Sequence, residues 1–177
     1  MRHLAGRFLG SLSPAGPAPA DEEWAFGHLL PGEGELWGRM SGPDRRHALG
    51  VARETVELLG PQRCPRPVVA AALLHDVGKV EAGLGTFARV VVTVAAMLVG
   101  RERLVAAGGR AARRGCRRGW SERSGAYLTH DRIGADLLRA AGADPLTSTW
   151  AAEHHLPEAR WSIDHRLAAA LKAADGD

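Results

Sequence analysis

Five of the eight histidines, His47, His75, His130, His154 and His155, fall at or near the ends of expected helices, and so do Asp76 and Asp175. Each is flanked by apolar positions and therefore belongs near a core. One buried histidine is ordinary. Five, together with two aspartates, are costly to bury unless something satisfies their ring nitrogens and carboxylates. A bound divalent cation does that, and a donor set of imidazole and carboxylate suits six-coordinate Mn²⁺ or Fe²⁺ better than a sulfur-rich zinc site. Lys79 follows His75 by four residues and Asp76 by three, so its ammonium lies beside these donors if the helical turn persists. A bare metal repels a lysine. An anionic substrate or leaving group uses one, by charge or as an acid.

These residues need helices to bring them together, and the sequence supplies the signals. Ser41 and Pro43 open a helix from Pro43 to Leu59 that Gly60-Pro61 ends, with His47, Val51, Thr55 and Leu58 along one face. A second helix, about Pro67 to Val77, is apolar on every side and belongs in the middle of a core. Thr129 is a candidate cap for a helix to Ala141, and Asp144-Pro145 for one to about His155. Ser162 is a candidate cap for the last helix, which carries Leu167, Leu171 and Asp175 at four-residue steps. No useful period-two run and no repeat occurs, so the fold class is all-α. The β-branched run at 90–94 has strand propensity, but its length and the apolar residues up to Val99 favour a helix. Residues 11–20, rich in proline, glycine and serine, read as a flexible lead-in. Short apolar segments at about Asp21–Leu30 and Glu35–Met40 follow it, separated by Pro31-Gly32.

The order His47, then His75-Asp76 within LLHDVGK, then Asp175 within LKAADGD resembles the HD superfamily of metal-dependent phosphohydrolases. His130 in YLTHDRIGADLL and the pair in AAEHHLP are similar to the extra histidines of its binuclear members. The resemblance runs over about residues 44–177 and implies an HD-domain helical bundle from 43 to 177. Residues 1–42 would be an N-terminal lead-in with short helices, and about 84–120 an apolar and arginine-rich insertion. It further implies that His47, His75, Asp76 and Asp175 hold one metal. His130 with His154, His155 or both would hold a second, Asp76 bridging and His154 the preferred donor of the adjacent pair. The implied chemistry is attack of metal-activated water on a phosphate ester, most plausibly a nucleotide, with Asp76 and Lys79 as catalytic residues. Lys79 would stand near the phosphate. Arg45 and Arg46, just before the first donor, are further candidate phosphate contacts, with a solvated helix start as the other reading. The GYP signature of cyclic-di-GMP phosphodiesterases and the ED motif of alarmone hydrolases are both missing, which leaves the substrate open. Two rival classes stand beside the hydrolase: a di-iron oxygenase of the same fold, and a non-catalytic metal-binding or membrane-associated member.

A chain of 177 residues with 45% hydrophobic and 24% charged residues suits one ordinary domain and argues against wholesale disorder. Cys64 and Cys116 are too few for a disulfide framework, so a reduced, cytoplasmic setting is the simpler expectation. Arg7 breaks the short apolar N-terminal stretch, which is not read as a signal peptide, and no run reaches spanning length. The net charge of +3 is uneven: nine arginines against Glu102 and Glu122 give residues 89–123 a balance of +7, leaving −4 elsewhere. The 87–119 stretch has three readings. It packs as an insertion with solvated arginines, or makes peripheral contact with an anionic membrane, or attracts a polyanion. Nucleic acid ranks last because only Phe87 and Trp120 flank it as stacking aromatics. The Gly83–Ala88 string formally fits a dinucleotide fingerprint but follows a helix, and Gly119–Arg123 lacks the last glycine of a nucleophile elbow. Oligomeric state is not legible.

Overall fold

The computed structural model describes residues 15–113 and 119–176, which form helices and no strand. The helices are α1 (Pro19–Phe26), α2 (Pro31–Arg39), α3 (Gly42–Leu59), α4 (Arg66–Leu74), α5 (Lys79–Ala82) and α6 (Thr86–Val99). After these come α7 (Arg101–Arg113), α8 (Trp120–Leu128), α9 (His130–Ala140), α10 (Pro145–Glu153) and α11 (His165–Asp175), with a short 3₁₀ turn at Glu158–Arg160. The expected all-α class is what the chain adopts. Cys116, three arginines of the basic stretch (Arg114, Arg117, Arg118) and residues 1–14 of the N-terminal lead-in lie outside the described residues.

Helix α4 sits at the centre because it has no polar side to turn outward. Every residue from Val68 to Leu74 is buried, and α3, α10, α2 and α11 surround it. Trp37, Trp150, Leu138 and Leu171 complete the same core, so α1 and α2 contribute Ala25, Leu36 and Trp37 to the bundle. Ser41 caps α3 by accepting from the Asp44 amide, and Asp144 caps α10 by accepting from the Leu146 amide. The cap of α11 is Asp164, which accepts from the Arg166 and Leu167 amides, whereas Ser162 is tied to Glu153 instead. Thr129 does not cap α9: its hydroxyl donates back to the Gly125 carbonyl. Pro31 starts α2 rather than merely separating two segments.

A smaller apolar cluster, built on Ala82, Leu84, Val92 and Leu128, holds α6, α7 and α8 to the side of the bundle. Helices α7 and α8 approach through glycine: a Cβ on Gly108 would stand 2.7 Å from the Ser121 carbonyl oxygen and 2.9 Å from the Gly125 Cα. Arg89 anchors α6 to α3 with a two-pronged pair to Asp44, at 2.6 and 3.0 Å. No single helix among the described residues is long and apolar enough to cross a membrane.

The fully buried Glu33 is the main polar tie between distant elements. Its carboxylate accepts from the Leu30 amide at 2.7 Å, from Arg66 at 2.9 Å and from the Asp144 amide at 3.4 Å. It thereby links α2 to the starts of α4 and α10. Glu33→Ala leaves those donors unmatched and is expected to destabilise the fold by about 2–3 kcal/mol, read as a lower urea midpoint.

Candidate metal centre

The site forms where five helix ends meet. The first turns of α3 carry His47. The central α4 ends in the turn that carries His75 and Asp76, α9 begins at His130, α10 runs out into His154 and His155, and α11 ends at Asp175. His75, Asp76, His130, His154 and Asp175 are buried. His47 is partly exposed and His155 lies at the surface.

The rings are oriented by the backbone that precedes them. Nδ1 of His75 donates to the Ala72 carbonyl at 2.8 Å, Nδ1 of His130 to Tyr127 at 2.7 Å, and Nδ1 of His154 to Ala151 at 3.0 Å. A carbonyl only accepts, so Nδ1 bears the proton and Nε2 of a neutral ring carries its lone pair inward. Burial, then the neighbouring His75 and His155, push the His154 pKa down to about 2, so this ring is neutral.

Two donor groups result, His47–His75–Asp175 and His130–His154–His155. In the first, Asp175 Oδ1 lies 3.1 Å from His47 Nε2 and 3.6 Å from His75 Nε2. In the second, the Nε2 atoms of His130 and His155 are 3.3 Å apart. Asp76 stands between the groups. Its Oδ1 is 3.2 Å from His130 Nε2 and 3.9 Å from His154 Nε2, and its Oδ2 is 3.5 Å from His75 Nε2. The Lys79 ammonium pairs with the same Oδ2.

Burial raises the Asp76 pKa, yet the Lys79 ammonium and the imidazoles of His75 and His130 hold its carboxyl well below the usual range. Burial likewise pushes Lys79 down, but the Asp76 carboxylate outweighs it and the ammonium is held above its ordinary value. Burial also raises Asp175, and the hydrogen bond from His47 brings it below the carboxylate range. Two anionic carboxylates are thus fixed among five imidazoles.

These buried His/Asp groups can hold a metal ion, and the orphaned atom of the site supports that fit. His154 Nε2 is buried without a hydrogen-bond partner, and a neutral nitrogen with an inward lone pair costs stability unless an electrophile meets it.

All seven expected donors converge here, and Lys79 stands among them. Arg45 does not: it pairs with Glu22 of α1 at 2.9 Å, because α1 packs beside the start of α3. Arg46 is partly buried next to His47. Sequence reading missed Tyr127, whose ring stacks on His130 with centroids 5.8 Å apart, and the Asp44–Arg89 pair. Tyr127 stands three residues before His130, one helical turn, which is the only sequence signal it gives. Comparison of the chain with family models, curated proteins and solved structures finds no match.

Proposed function

We propose that this chain is a metal-dependent phosphohydrolase of the HD kind, acting on a phosphate ester at the centre around Asp76. The observation that supports it best is the sharing of Asp76 between two donor groups with a lysine on the same carboxylate. The chemistry such divalent cations supply when bound is Lewis acidity and the activation of water. The chain's own residues do the rest. Three carbonyl-anchored imidazoles and two carboxylates form a donor set that is rigid before any ligand arrives. Lys79 supplies a fixed positive charge beside Asp76, where it offsets the negative charge that develops on a phosphoryl group. The cations proposed are Mn²⁺ or Fe²⁺, since the donors are nitrogen and oxygen with no thiolate.

Metal per chain, measured by elemental analysis on protein purified without oxygen or chelator, tests the reading together with His130→Ala. Two equivalents are expected, falling to one in the variant, with phosphate release from mononucleotides or an aryl phosphate. One equivalent, unchanged in the variant, leaves His130 a structural residue. Metal-free protein, or oxygen uptake without phosphate release, overturns the hydrolase.

A further inference from the structure

Helix α6 turns Arg89, Val92 and Thr93 inward and most of its large apolar residues outward. Arg89 bonds Asp44 and the Leu84 carbonyl. Thr93 donates to the Arg89 carbonyl and lies 3.5 Å from the Tyr127 hydroxyl. On the other side Phe87, Val90, Val91, Val94, Met97 and Leu98 are exposed, Phe87 and Leu98 each by 81%. Their spacing repeats with the helical turn, so they form one continuous stripe roughly 16 Å long. A contiguous apolar surface of this kind marks a contact with another apolar phase.

The residues just beyond the stripe point to the partner. Gly100, at φ +98°, turns the chain into α7, where Arg101, Arg103, Arg110 and Arg113 are exposed against the single acid Glu102. An apolar helix face continued by exposed arginines complements hydrocarbon below anionic headgroups. A two-fold contact with a second copy would instead gather the arginines of both chains around one interface.

The stripe also leads into the metal centre. A cavity of about 340 Å³ is lined by Thr93, Met97, Arg101, Tyr127, His130 and His155 among others. A second, of about 290 Å³, shares Thr93, Met97 and Tyr127 with it and reaches Val90 and Val94. The two form a trough from the histidines to the outward face of α6, mostly apolar along its length and basic at Arg101, whose guanidinium donates to the Leu128 carbonyl and lies 3.8 Å from the Asp131 carboxylate.

We infer that α6 docks on an anionic bilayer and that the trough admits a phosphate ester borne by a lipid. Its phosphate stands at the Arg101–His130–His155 end, and its hydrocarbon leaves over Met97 and Val94. The substrate half of this inference rests on the hydrolase reading above; the docking half does not.

The test sediments the full chain with vesicles of phosphatidylcholine alone or mixed with phosphatidylglycerol. The comparison variant is the double substitution Phe87→Asp and Leu98→Asp, whose side chains line neither cavity and whose helicity is checked by circular dichroism. Wild type is expected to sediment with the mixed vesicles only, and the variant to lose about tenfold in binding. Equal sedimentation of the two proteins, or none by wild type, overturns the docking. So does a wild-type dimer in light scattering that the variant makes monomeric, which assigns the face to a second copy. Phosphate release is then followed from phosphatidic acid added to the mixed vesicles and from soluble aryl phosphate. The variant is expected to lose about tenfold on the first and nothing on the second. Turnover of the soluble ester alone overturns the lipid substrate. Silence on both esters is a failure of the hydrolase, and sedimentation still decides the docking.

Discussion

Asp76→Ala is expected to remove metal from both donor groups and to lower hydrolysis by at least about 10³-fold, which is about 4 kcal/mol of barrier. The size of the effect comes from where the carboxylate stands. One oxygen faces His130 and His154, the other faces His75 and Lys79, so this one carboxylate serves both halves of the site. Truncation also strands the Lys79 ammonium, which is largely buried and owes its raised pKa to this carboxylate. Leaving a buried charge uncompensated costs about 3–5 kcal/mol in its own right. The variant is therefore expected to melt earlier as well. Asp76→Asn separates the two consequences, because it keeps volume and one acceptor oxygen while removing the charge. Metal content by elemental analysis, phosphate release and a thermal melt on both variants check the prediction. If Asp76→Asn retains full metal and full turnover, Asp76 is a structural partner of Lys79 and nothing more.

The site was more legible in the sequence than the scaffold that carries it. Burying three imidazoles and two carboxylates is costly enough to leave a signal at those positions, and helix ends were marked by proline, glycine and small caps. The centre of the bundle was legible for a related reason: VVAAALL has no polar side, so α4 had to be enclosed. The features that escaped notice depend on pairings far apart in the chain. Helix α8, WSERSGAYL, carries few large apolar residues and no capping side chain. It is held by the close crossing of Gly108 and Gly125, which no local pattern announces. The choice of Asp164 over Ser162 as a cap was equally hidden, since both types cap well and only the distant Glu153 engages Ser162. Arg45 looked available to an anion because its partner Glu22 lies on α1, more than twenty residues earlier in the chain. The outward apolar face of α6 was visible as composition, but its direction was not. The Asp44–Arg89 pair and the burial of Val92 show which side of the helix faces inward.

Gly78→Val is expected to separate the two donor groups without touching a donor. Gly78 has ordinary helical backbone angles, so the requirement for glycine is one of space. A Cβ there would lie 1.9 Å from the His130 carbonyl oxygen, 2.8 Å from its carbon and 2.6 Å from the Gly134 nitrogen. These are backbone atoms and cannot rotate away. Helix α9 must withdraw by about 1.5 Å to restore van der Waals distance, and it takes His130 with it, away from Asp76 Oδ1 at 3.2 Å. Displacements of about 1 Å at a catalytic centre cost about 10²-fold in rate, and overpacking of this kind costs about 1–3 kcal/mol of stability. The second metal equivalent and most of the turnover are expected to be lost while the first equivalent stays, since His47, His75 and Asp175 stand on α3, the end of α4 and α11. Gly134→Ala, whose Cβ meets the Gly78 nitrogen at 3.0 Å, is expected to show a weaker form of the same loss. Gly50→Ala, with open space around its Cβ in α3, is the control and should stabilise by about 0.5–1 kcal/mol. Equal metal content and rate in Gly78→Val and wild type would mean that α9 does not set the distance between His130 and Asp76.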